Sequence, residues 1–333
     1  MPLLEIHGLS VDFGTPEHAV RVVDDVTLEL DAEETLGLVG ESGSGKTLTS
    51  LAILGMVPAA GRVTTRRLAL DGRDLSSLDA KGWQQVRGRE VAMIFQDPMT
   101  SLNPFLSIGR QLTEGLEAHS LATGRKARTQ AARALGEVGI PAPETALRRF
   151  PHELSGGMRQ RVMIAMALLL QPKLILADEP TTALDVTLQA QVLELLANLQ
   201  HQRGTALLLV THDLGVVAGR CDRVAVMYAG RLVETASIAP FFEDPRHPYS
   251  RGLLASVPRL AGPLDQPLVG IPGSPPDPAQ RPTGCAFHPR CELALDTCRA
   301  ERPPLVAQAE GRLVACPPSA SLAAPGKPRG GGA

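Results

Sequence analysis

The sequence lacks any hydrophobic run long enough to cross a membrane. A membrane-spanning helix needs about 20 consecutive apolar residues, and the longest such run here, Val162 to Leu170, is far shorter. The chain begins Met-Pro-Leu-Leu-Glu-Ile-His, whereas a secretory signal peptide would begin with a basic segment. We therefore predict a cytoplasmic chain that reaches a membrane only by binding other subunits.

Neither sign of charge is in excess. The chain has 33 Lys and Arg residues against 35 Asp and Glu residues, which gives a formal net charge of −2. Such a balance creates no overall field that attracts nucleic acid or anionic lipid. The hydrophobic content of 44% and charged content of 20% are those of an ordinary globular protein. A length of 333 residues suffices for one large domain or two modest ones.

Cysteine is scarce, but its placement is uneven. Four of the five cysteines lie in the last fifth of the chain, at Cys285, Cys291, Cys298 and Cys316. Clustered cysteines in a reducing compartment are typical of metal ligands. Zinc sites usually contain tight C-x2–4-C pairs, which are absent here, and the wider spacing favours a [4Fe–4S] cluster. Zinc or unliganded thiols remain alternatives, and Cys221 is most simply a small buried residue.

Strand patterns alternate with helix patterns along the chain. This alternation predicts an α/β fold with a mainly parallel sheet covered by helices on both faces. The predicted strands are Leu3–Ile6, Arg21–Leu30, Thr35–Val39, Val91–Phe95, Leu174–Ala177, Ala206–Val210 and Val224–Met227. The predicted helices are Lys46–Met56, Ser155–Leu170, Thr187–Gln200 and a short one after Asp213.

Changes in composition divide the chain into regions. We predict a main domain over residues 1–257, with an inserted helical subdomain at about 97–160. Seven prolines between Pro258 and Pro278 then forbid long helices and central strands. Residues 258–320 are therefore expected to form a small Pro/Cys-rich appendix, and the Gly/Pro-rich residues 321–333 a disordered tail.

An eight-residue segment fits the phosphate-loop pattern G-x-x-x-x-G-K-[ST], between a predicted strand and a predicted helix. Glycines let the backbone curl so that successive N–H groups point inward, and the helix N-terminus favours anionic oxygens. Lys46 would reach the β- and γ-phosphates, and the Thr47 hydroxyl would bind Mg²⁺. The predicted nucleotide-binding residues of this segment are Gly40, Glu41, Ser42, Gly43, Ser44, Gly45, Lys46 and Thr47.

A buried strand that ends in two carboxylates supplies the second half of the predicted site. Asp178 and Glu179 follow Leu174–Ala177, at the sheet edge where ligands of such folds bind. Asp178 would bind Mg²⁺, directly or through water, and Glu179 is placed to polarise the attacking water. Taken alone, the pair could instead be a helix cap before Pro180.

Many classes of nucleotide hydrolase contain a phosphate loop, and a third segment indicates which class this chain resembles. Leu154-Ser155-Gly156-Gly157-Met158-Arg159-Gln160-Arg161 resembles the signature of ABC-transporter ATPases. Ser155, Gly156 and Gly157 lie at the predicted start of a helix. The Ser155 hydroxyl and the two glycine amides can therefore bind a γ-phosphate. The resemblance implies that this phosphate belongs to nucleotide held by an opposing subunit, so that two chains enclose two ATP molecules.

The remaining elements of that family follow in order. By resemblance, Gln96 is the glutamine that senses Mg²⁺ and links the site to the membrane subunits. Ala183-Leu184-Asp185 resembles the D-loop, and His212 resembles the switch histidine that contacts the γ-phosphate. Phe13 is expected to stack on adenine, with a core phenylalanine as the alternative.

Within the family, the chain is most similar to ATPases of oligopeptide and dipeptide importers. The segments that carry this resemblance are 95–104 (FQDPMTSLNP), 247–250 (HPYS) and 253–258 (LLASVP). Residues 157–167 (GMRQRVMIAMA) resemble the D-type ATPase of such transporters. The resemblance implies two permease subunits, a sister ATPase, an extracytoplasmic solute-binding protein and a position on the cytoplasmic face of the membrane. Some members of this branch carry a [4Fe–4S] cluster in the appendix.

The predicted function is ATP hydrolysis that energises import of peptides or related small solutes. The main alternative is a soluble ABC ATPase acting on nucleic acid or ribosomes. DNA-repair members insert coiled coils between the phosphate loop and the signature, and translation-factor members carry two cassettes. The sequence has no heptad run, no second cassette and no basic stripe. An exporter ATPase is a further alternative that the appendix does not favour.

Overall fold

The structure is a computed structural model, and it describes residues 1–15, 17–182, 185–257 and 270–317. The Ala183-Leu184 part of the predicted D-loop, most of the predicted proline-rich linker and the predicted tail lie outside these ranges. Within them, no helix combines the length and apolar character needed to cross a bilayer.

Thirteen strands are found in the described residues. They are β1 (Leu4–Phe13), β2 (Val20–Leu30), β3 (Thr35–Val39), β4 (Gly61–Thr64), β5 (Arg67–Leu70), β6 (Arg73–Asp74), β7 (Val91–Ile94), β8 (Leu174–Asp178), β9 (Ala206–Thr211), β10 (Arg223–Tyr228), β11 (Arg231–Ser237), β12 (Val306–Ala307) and β13 (Leu313–Val314).

Twelve α-helices accompany these strands in the same part of the chain. They are α1 (Lys46–Ile53), α2 (Ala80–Val86), α3 (Pro98–Ser101), α4 (Ile108–Ala118), α5 (Gly124–Glu137), α6 (Pro143–Ala146), α7 (Gly156–Leu169), α8 (Val186–Arg203), α9 (Leu214–Arg220), α10 (Ile238–Glu243), α11 (Pro248–Ala255) and α12 (Asp296–Ala300).

The larger sheet has the strand order β12-β13-β11-β10-β3-β9-β8-β7. Strands β10, β3, β9, β8 and β7 are parallel, as the alternating pattern predicts. Their side chains are apolar almost throughout and almost all are buried, as expected for strands covered on both faces. The carboxyl ends of β3, β8 and β9 therefore meet at one sheet edge.

A second sheet was not predicted from the sequence. Strands β2, β1, β5 and β6 pair in that order, β4 also pairs with β1, and all of these pairings are antiparallel. Its apolar side chains pack on one face of the larger sheet in a common core that includes Leu4, Leu38 and Leu208. A separate core on the opposite face contains Val162 and Leu196 from the helices α7 and α8.

Helices α3 to α6 occupy the region predicted to be a helical insertion, between β7 and α7. Buried residues of α4 and α5, such as Leu112 and Leu135, pack into the same core as α7. The side chain of Ser107 caps α4 by accepting a hydrogen bond from the backbone N–H of Arg110, at 3.3 Å.

The appendix is not separate from the main domain. Its short strand β13 pairs with β11 through Glu234↔Val314 and Thr235↔Leu313, and β12 pairs with β13. The prolines of this region do exclude long helices, since its longest described helix is the five-residue α12. They do not exclude strands at the sheet edge, where a missing N–H donor costs little.

Candidate functional site

The phosphate loop runs from the end of β3 to the start of α1. Lys46 opens the helix and is buried, with only 4% of its surface exposed. Its Nζ donates to the carbonyl oxygens of Gly40 (2.8 Å) and Glu41 (3.0 Å), so the loop folds around the ammonium group. Burial lowers the pKa of Lys46, while the carboxylates of Glu179 and Asp178 oppose this shift.

The first glycine of the loop allows a close approach between two segments. A Cβ atom added at Gly40 would lie 2.1 Å from the carbonyl oxygen of Met227 in β10. No side chain fits at that distance without displacing the backbone. The sequence pattern thus requires glycine here because the loop is pressed against the neighbouring strand.

Two of the three residues predicted to contact magnesium, Thr47 and Asp178, are joined directly, whereas the Gln96 amide donates to Glu179. The Thr47 hydroxyl donates to Asp178 Oδ1 at 3.2 Å, which joins the start of α1 to the end of β8. Asp178 is 2% exposed, and burial raises its pKa. A hydroxyl and a carboxylate are the hard oxygen ligands that Mg²⁺ takes. The described residues therefore fit the predicted ion.

Glu179 is the centre of a hydrogen-bonded group. Its Oε2 accepts from Gln96 Nε2 at 3.0 Å and from the Thr182 hydroxyl at 2.9 Å, and its Oε1 lies 3.2 Å from His212 Nδ1. Three elements that are far apart in sequence converge here, because the carboxyl ends of parallel strands share one edge. Gln96, Glu179 and His212 were predicted from the sequence, whereas Thr182 was not.

The backbone at Glu179 is strained. Its φ is 44°, in the left-handed region, although its N–H still donates to the carbonyl of Val210 at 2.9 Å and so continues the β8–β9 pairing. A non-glycine residue in this conformation costs about 1–3 kcal/mol. In this conformation the carboxylate contacts Gln96 and His212.

The signature residues form a helix start of their own. Ser155 caps α7 by accepting from the N–H of Met158 at 3.4 Å. A Cβ atom on Gly157 would lie 2.5 Å from Leu188 Cδ2, so this glycine allows α7 and α8 to pack closely. In the described part of the chain, no hydrogen bond joins Ser155, Gly156 or Gly157 to the phosphate loop.

Two predicted nucleotide contacts have structural roles within this chain. Asp185 caps α8, since its Oδ1 accepts from the N–H of Leu188 at 2.9 Å. Phe13 ends β1 half-buried, with its ring beside Gly61 and packed against the core of the second sheet. The predicted contacts of both residues with nucleotide stay predictions.

The four cysteines of the appendix line one cavity, together with the imidazoles of His247 and His288. Burial, with smaller contributions from negative charge on the other three thiols, raises the pKa of the Cys316 thiol to about 12. Burial also raises the pKa values of Cys285 and Cys291. Even so, the described residues contain no group of three or more His, Cys, Asp or Glu that could hold a metal ion.

The appendix also touches the phosphate loop, which the sequence did not predict. Arg290 forms a two-pronged ion pair with Glu41, and the Tyr249 hydroxyl accepts from the backbone N–H of Glu41. Tyr249 belongs to the HPYS segment at 247–250. In the sequence this segment indicated a resemblance to peptide-importer ATPases, but it did not indicate a contact with the phosphate loop.

Comparison with known proteins places these features in context. Residues 23–182 match the ABC transporter family model, and residues 233–298 match the model of the oligopeptide/dipeptide transporter C-terminal region. The chain is 50% identical over 304 residues to the oligopeptide transport ATP-binding protein OppD of Bacillus subtilis (strain 168), covering 91% of this chain and 85% of that protein. It is 48% identical over 316 residues to the dipeptide transport ATP-binding protein DppD of Escherichia coli (strain K12), covering 95% and 96%.

Solved structures of ATP-binding cassettes are also similar. One is a dimeric ATP-binding cassette in a post-hydrolysis state with ADP and Pi, with a TM-score of 0.61 and 26% identity, covering 71% of this chain and 98% of that one. Another is the CbiO1 protein of Clostridium perfringens, with a TM-score of 0.61 and 24% identity, covering 72% and 90%. The predicted fold is confirmed.

Proposed function

The chain belongs to the ABC transporter family, among the ATP-binding proteins of oligopeptide and dipeptide transport, and we propose that it energises import of such peptides. It is an ATP hydrolase. The observation that carries the hydrolytic role is the Glu179 carboxylate, which joins Gln96 and His212 beside the phosphate loop. The role in peptide transport rests on the similarity to OppD and DppD. The alternative of a soluble ATPase acting on nucleic acid or ribosomes has no support among these relatives.

The described geometry supports a hydrolytic role for each predicted side chain. Glu179 accepts a proton from the attacking water as a general base, and the Gln96 amide and Thr182 hydroxyl orient its carboxylate. Lys46 and His212 stabilise negative charge that develops on the transferred phosphoryl group. Thr47 and Asp178 would hold Mg²⁺, which supplies electrostatic stabilisation of the phosphate oxygens.

The signature supports a site shared between two chains. Ser155 and the N-terminus of α7 make no hydrogen bond to the phosphate loop of their own chain in the described structure, yet they present N–H groups suited to phosphate. We propose that they bind the γ-phosphate held by a sister ATPase, with Asp185 at the same interface. Phe13 is proposed to stack on the adenine of the chain's own nucleotide.

An exposed apolar surface supports contact with membrane subunits. Met99 and Phe105 follow Gln96 in the chain, and they are 62% and 87% exposed. Contiguous exposed apolar patches mark protein interfaces, and these two side chains would contribute to one. We propose that this surface docks on two permease subunits at the cytoplasmic face of the membrane, and that the Gln96–Glu179 hydrogen bond links it to the hydrolytic site. An extracytoplasmic solute-binding protein would complete the assembly.

We further propose that Cys285, Cys291, Cys298 and Cys316 hold a [4Fe–4S] cluster. Their shared cavity supports this, since thiolates are the usual ligands of such clusters. Zinc held by the same thiols is the alternative. The test is anaerobic purification with iron, sulfide and zinc analysis and an absorption spectrum. We expect about four irons per chain in the wild type and their loss in Cys298→Ser. Stoichiometric zinc, or protein without metal, would contradict the cluster.

The transport function is tested by isolating the tagged chain from native membranes in mild detergent and identifying its partners by mass spectrometry. We expect two polytopic permeases and a second, similar ATPase. Proteoliposomes that contain this complex should import a labelled peptide only with ATP and the binding protein. Recovery of ribosomes or DNA-repair proteins without membrane proteins would refute the transport function, while the ATPase assignment would stand.

A further inference from the structure

Arg290 of the appendix forms an ion pair with Glu41 of the phosphate loop. Arg290 Nη1 lies 2.7 Å from Glu41 Oε2, and Nη2 lies 3.0 Å from Glu41 Oε1. Such a two-pronged pair fixes the carboxylate in both position and orientation. Only 5% of the Arg290 side chain is exposed, so water competes little for the contact. Glu41 directly follows the first glycine of the loop.

Arg290 is itself held rigidly. Its Nε donates to the carbonyl of Pro272 at 2.8 Å, and its guanidinium lies over the rings of Tyr228 and Phe287, at 5.8 and 5.9 Å from their centroids. These contacts fix the guanidinium plane independently of Glu41. Forming the ion pair therefore costs little further side-chain entropy. Arg290 is therefore built as a fixed support and not as a mobile surface residue.

A second contact holds the main chain of the same loop residue. The backbone N–H of Glu41 donates to the Tyr249 hydroxyl at 2.8 Å. Tyr249 is fully buried, and its ring packs against Tyr228 and Phe287 with centroids 4.6 and 5.4 Å apart. Arg290 and Tyr249 therefore pack against the same two rings, those of Tyr228 and Phe287.

The residue held in this way lies next to the catalytic lysine. The carbonyl of Glu41 accepts from Lys46 Nζ at 3.0 Å. Glu41 is thus fixed through its side chain by Arg290, through its N–H by Tyr249 and through its carbonyl by Lys46. A loop held in its binding shape loses less conformational entropy when phosphate binds, which increases affinity.

From this geometry we infer that Arg290 and Tyr249 are positioning residues for ATP, which hold Glu41 so that the phosphate loop keeps its phosphate-binding shape. The inference rests on the proposed ATPase function and deepens it. The Pro/Cys-rich appendix is then part of the nucleotide site of its own chain. Loss of the hold should weaken binding of ATP more than it slows the chemical step.

The test measures nucleotide binding in the purified full-length chain and turnover in its complex with the sister ATPase. Dissociation constants for a fluorescent ATP analogue with Mg²⁺ are compared with KM and kcat for ATP. Arg290→Gln is expected to raise Kd and KM by about 10-fold, the scale of losing a charge-assisted hydrogen bond, and to change kcat less than twofold. Arg290→Lys should recover part of the loss, and Tyr249→Phe should show a smaller one.

Arg312 provides a matched control. Like Arg290, it is an appendix arginine with 5% of its side chain exposed, but it donates to the carbonyls of Asp244 and Pro240, away from the phosphate loop. Arg312→Gln is expected to lower thermal stability and leave Kd for the analogue unchanged. An equal rise in Kd for both variants would overturn the inference.

A double-mutant cycle with Glu41→Gln isolates the contact. If Arg290 acts through Glu41, the double variant binds the analogue about as weakly as either single variant. Additive losses would contradict the inference. If Arg290→Gln does not fold, Tyr249→Phe and Arg290→Lys supply the same comparison. Wild-type protein without ATPase activity in its complex with the sister ATPase would refute the proposed function. An active wild-type complex with an unaffected Arg290→Gln variant would refute only the positioning role.

Discussion

The buried imidazole of His247 should make the stability of the fold depend on pH in the acidic range. The side chain is 1% exposed, and burial lowers its pKa to about 3 from an ordinary value of 6.5. Its Nδ1 accepts from the backbone N–H of Tyr249 at 3.1 Å, an arrangement that only an unprotonated Nδ1 permits. The folded chain therefore keeps His247 neutral where the unfolded chain protonates it.

The direction and size of the change in unfolding free energy with pH follow from this difference in protonation. Below pH 6.5 the unfolded state binds a proton that the folded state excludes, so stability is complete above pH 6.5 and falls as the pH decreases toward 3. Each pH unit in this window costs about 1.4 kcal/mol. His247 alone should therefore remove about 2 kcal/mol of unfolding free energy by pH 5, and about 5 kcal/mol at its limit.

The assay is urea unfolding of wild type and His247→Asn at pH 7.5 and pH 5.0. Asparagine keeps an oxygen that can accept the Tyr249 N–H, but it does not titrate. The stability difference between the two proteins should shift by about 2 kcal/mol in favour of the variant at pH 5.0, since carboxylates titrate in both. His201→Asn, at an exposed position, is the control. An unchanged difference between the two pH values would refute the reasoning.

Two further predictions concern the hydrolytic site. Glu179→Gln should retain ATP binding but lower kcat by about 10²–10⁴-fold, the usual contribution of a general base, and steady-state turnover close to wild type would remove Glu179 from that role. Thr182→Val deletes a hydroxyl that donates to Glu179 and should lower kcat by about 10-fold at unchanged KM. Thr181→Val is its control, and equal kcat values for the two threonine variants would contradict a specific role for Thr182.

The parts of the site that lie on local patterns were predictable from the sequence. The phosphate loop follows β3, Asp178 and Glu179 lie at the end of β8, and His212 follows β9. All three strands are apolar and parallel, so their carboxyl ends lie at one sheet edge. The four cysteines likewise line one cavity. Their spacing favours a [4Fe–4S] cluster but leaves zinc and unliganded thiols as alternatives.

Other features left no local signal. Strand β4 is mostly exposed, and β6 has only two residues, so neither shows the alternation of a half-buried strand. The strand β13 follows a proline-rich stretch that predicts irregular structure. The contact of Arg290 with Glu41 joins positions 249 residues apart, and no periodicity within a short window reports such a pairing.

That sequence separation sets the order of events during synthesis. The phosphate loop emerges from the ribosome early, but its partner Arg290 is added 249 residues later. At about 5–20 residues per second, the delay is about 10–50 s. A nascent chain can form β3, α1 and the parallel strands during this time, while Glu41 has no partner for its carboxylate. The hold on the loop is thus completed only when nearly all of the chain has been made, which ties full nucleotide affinity to completed synthesis.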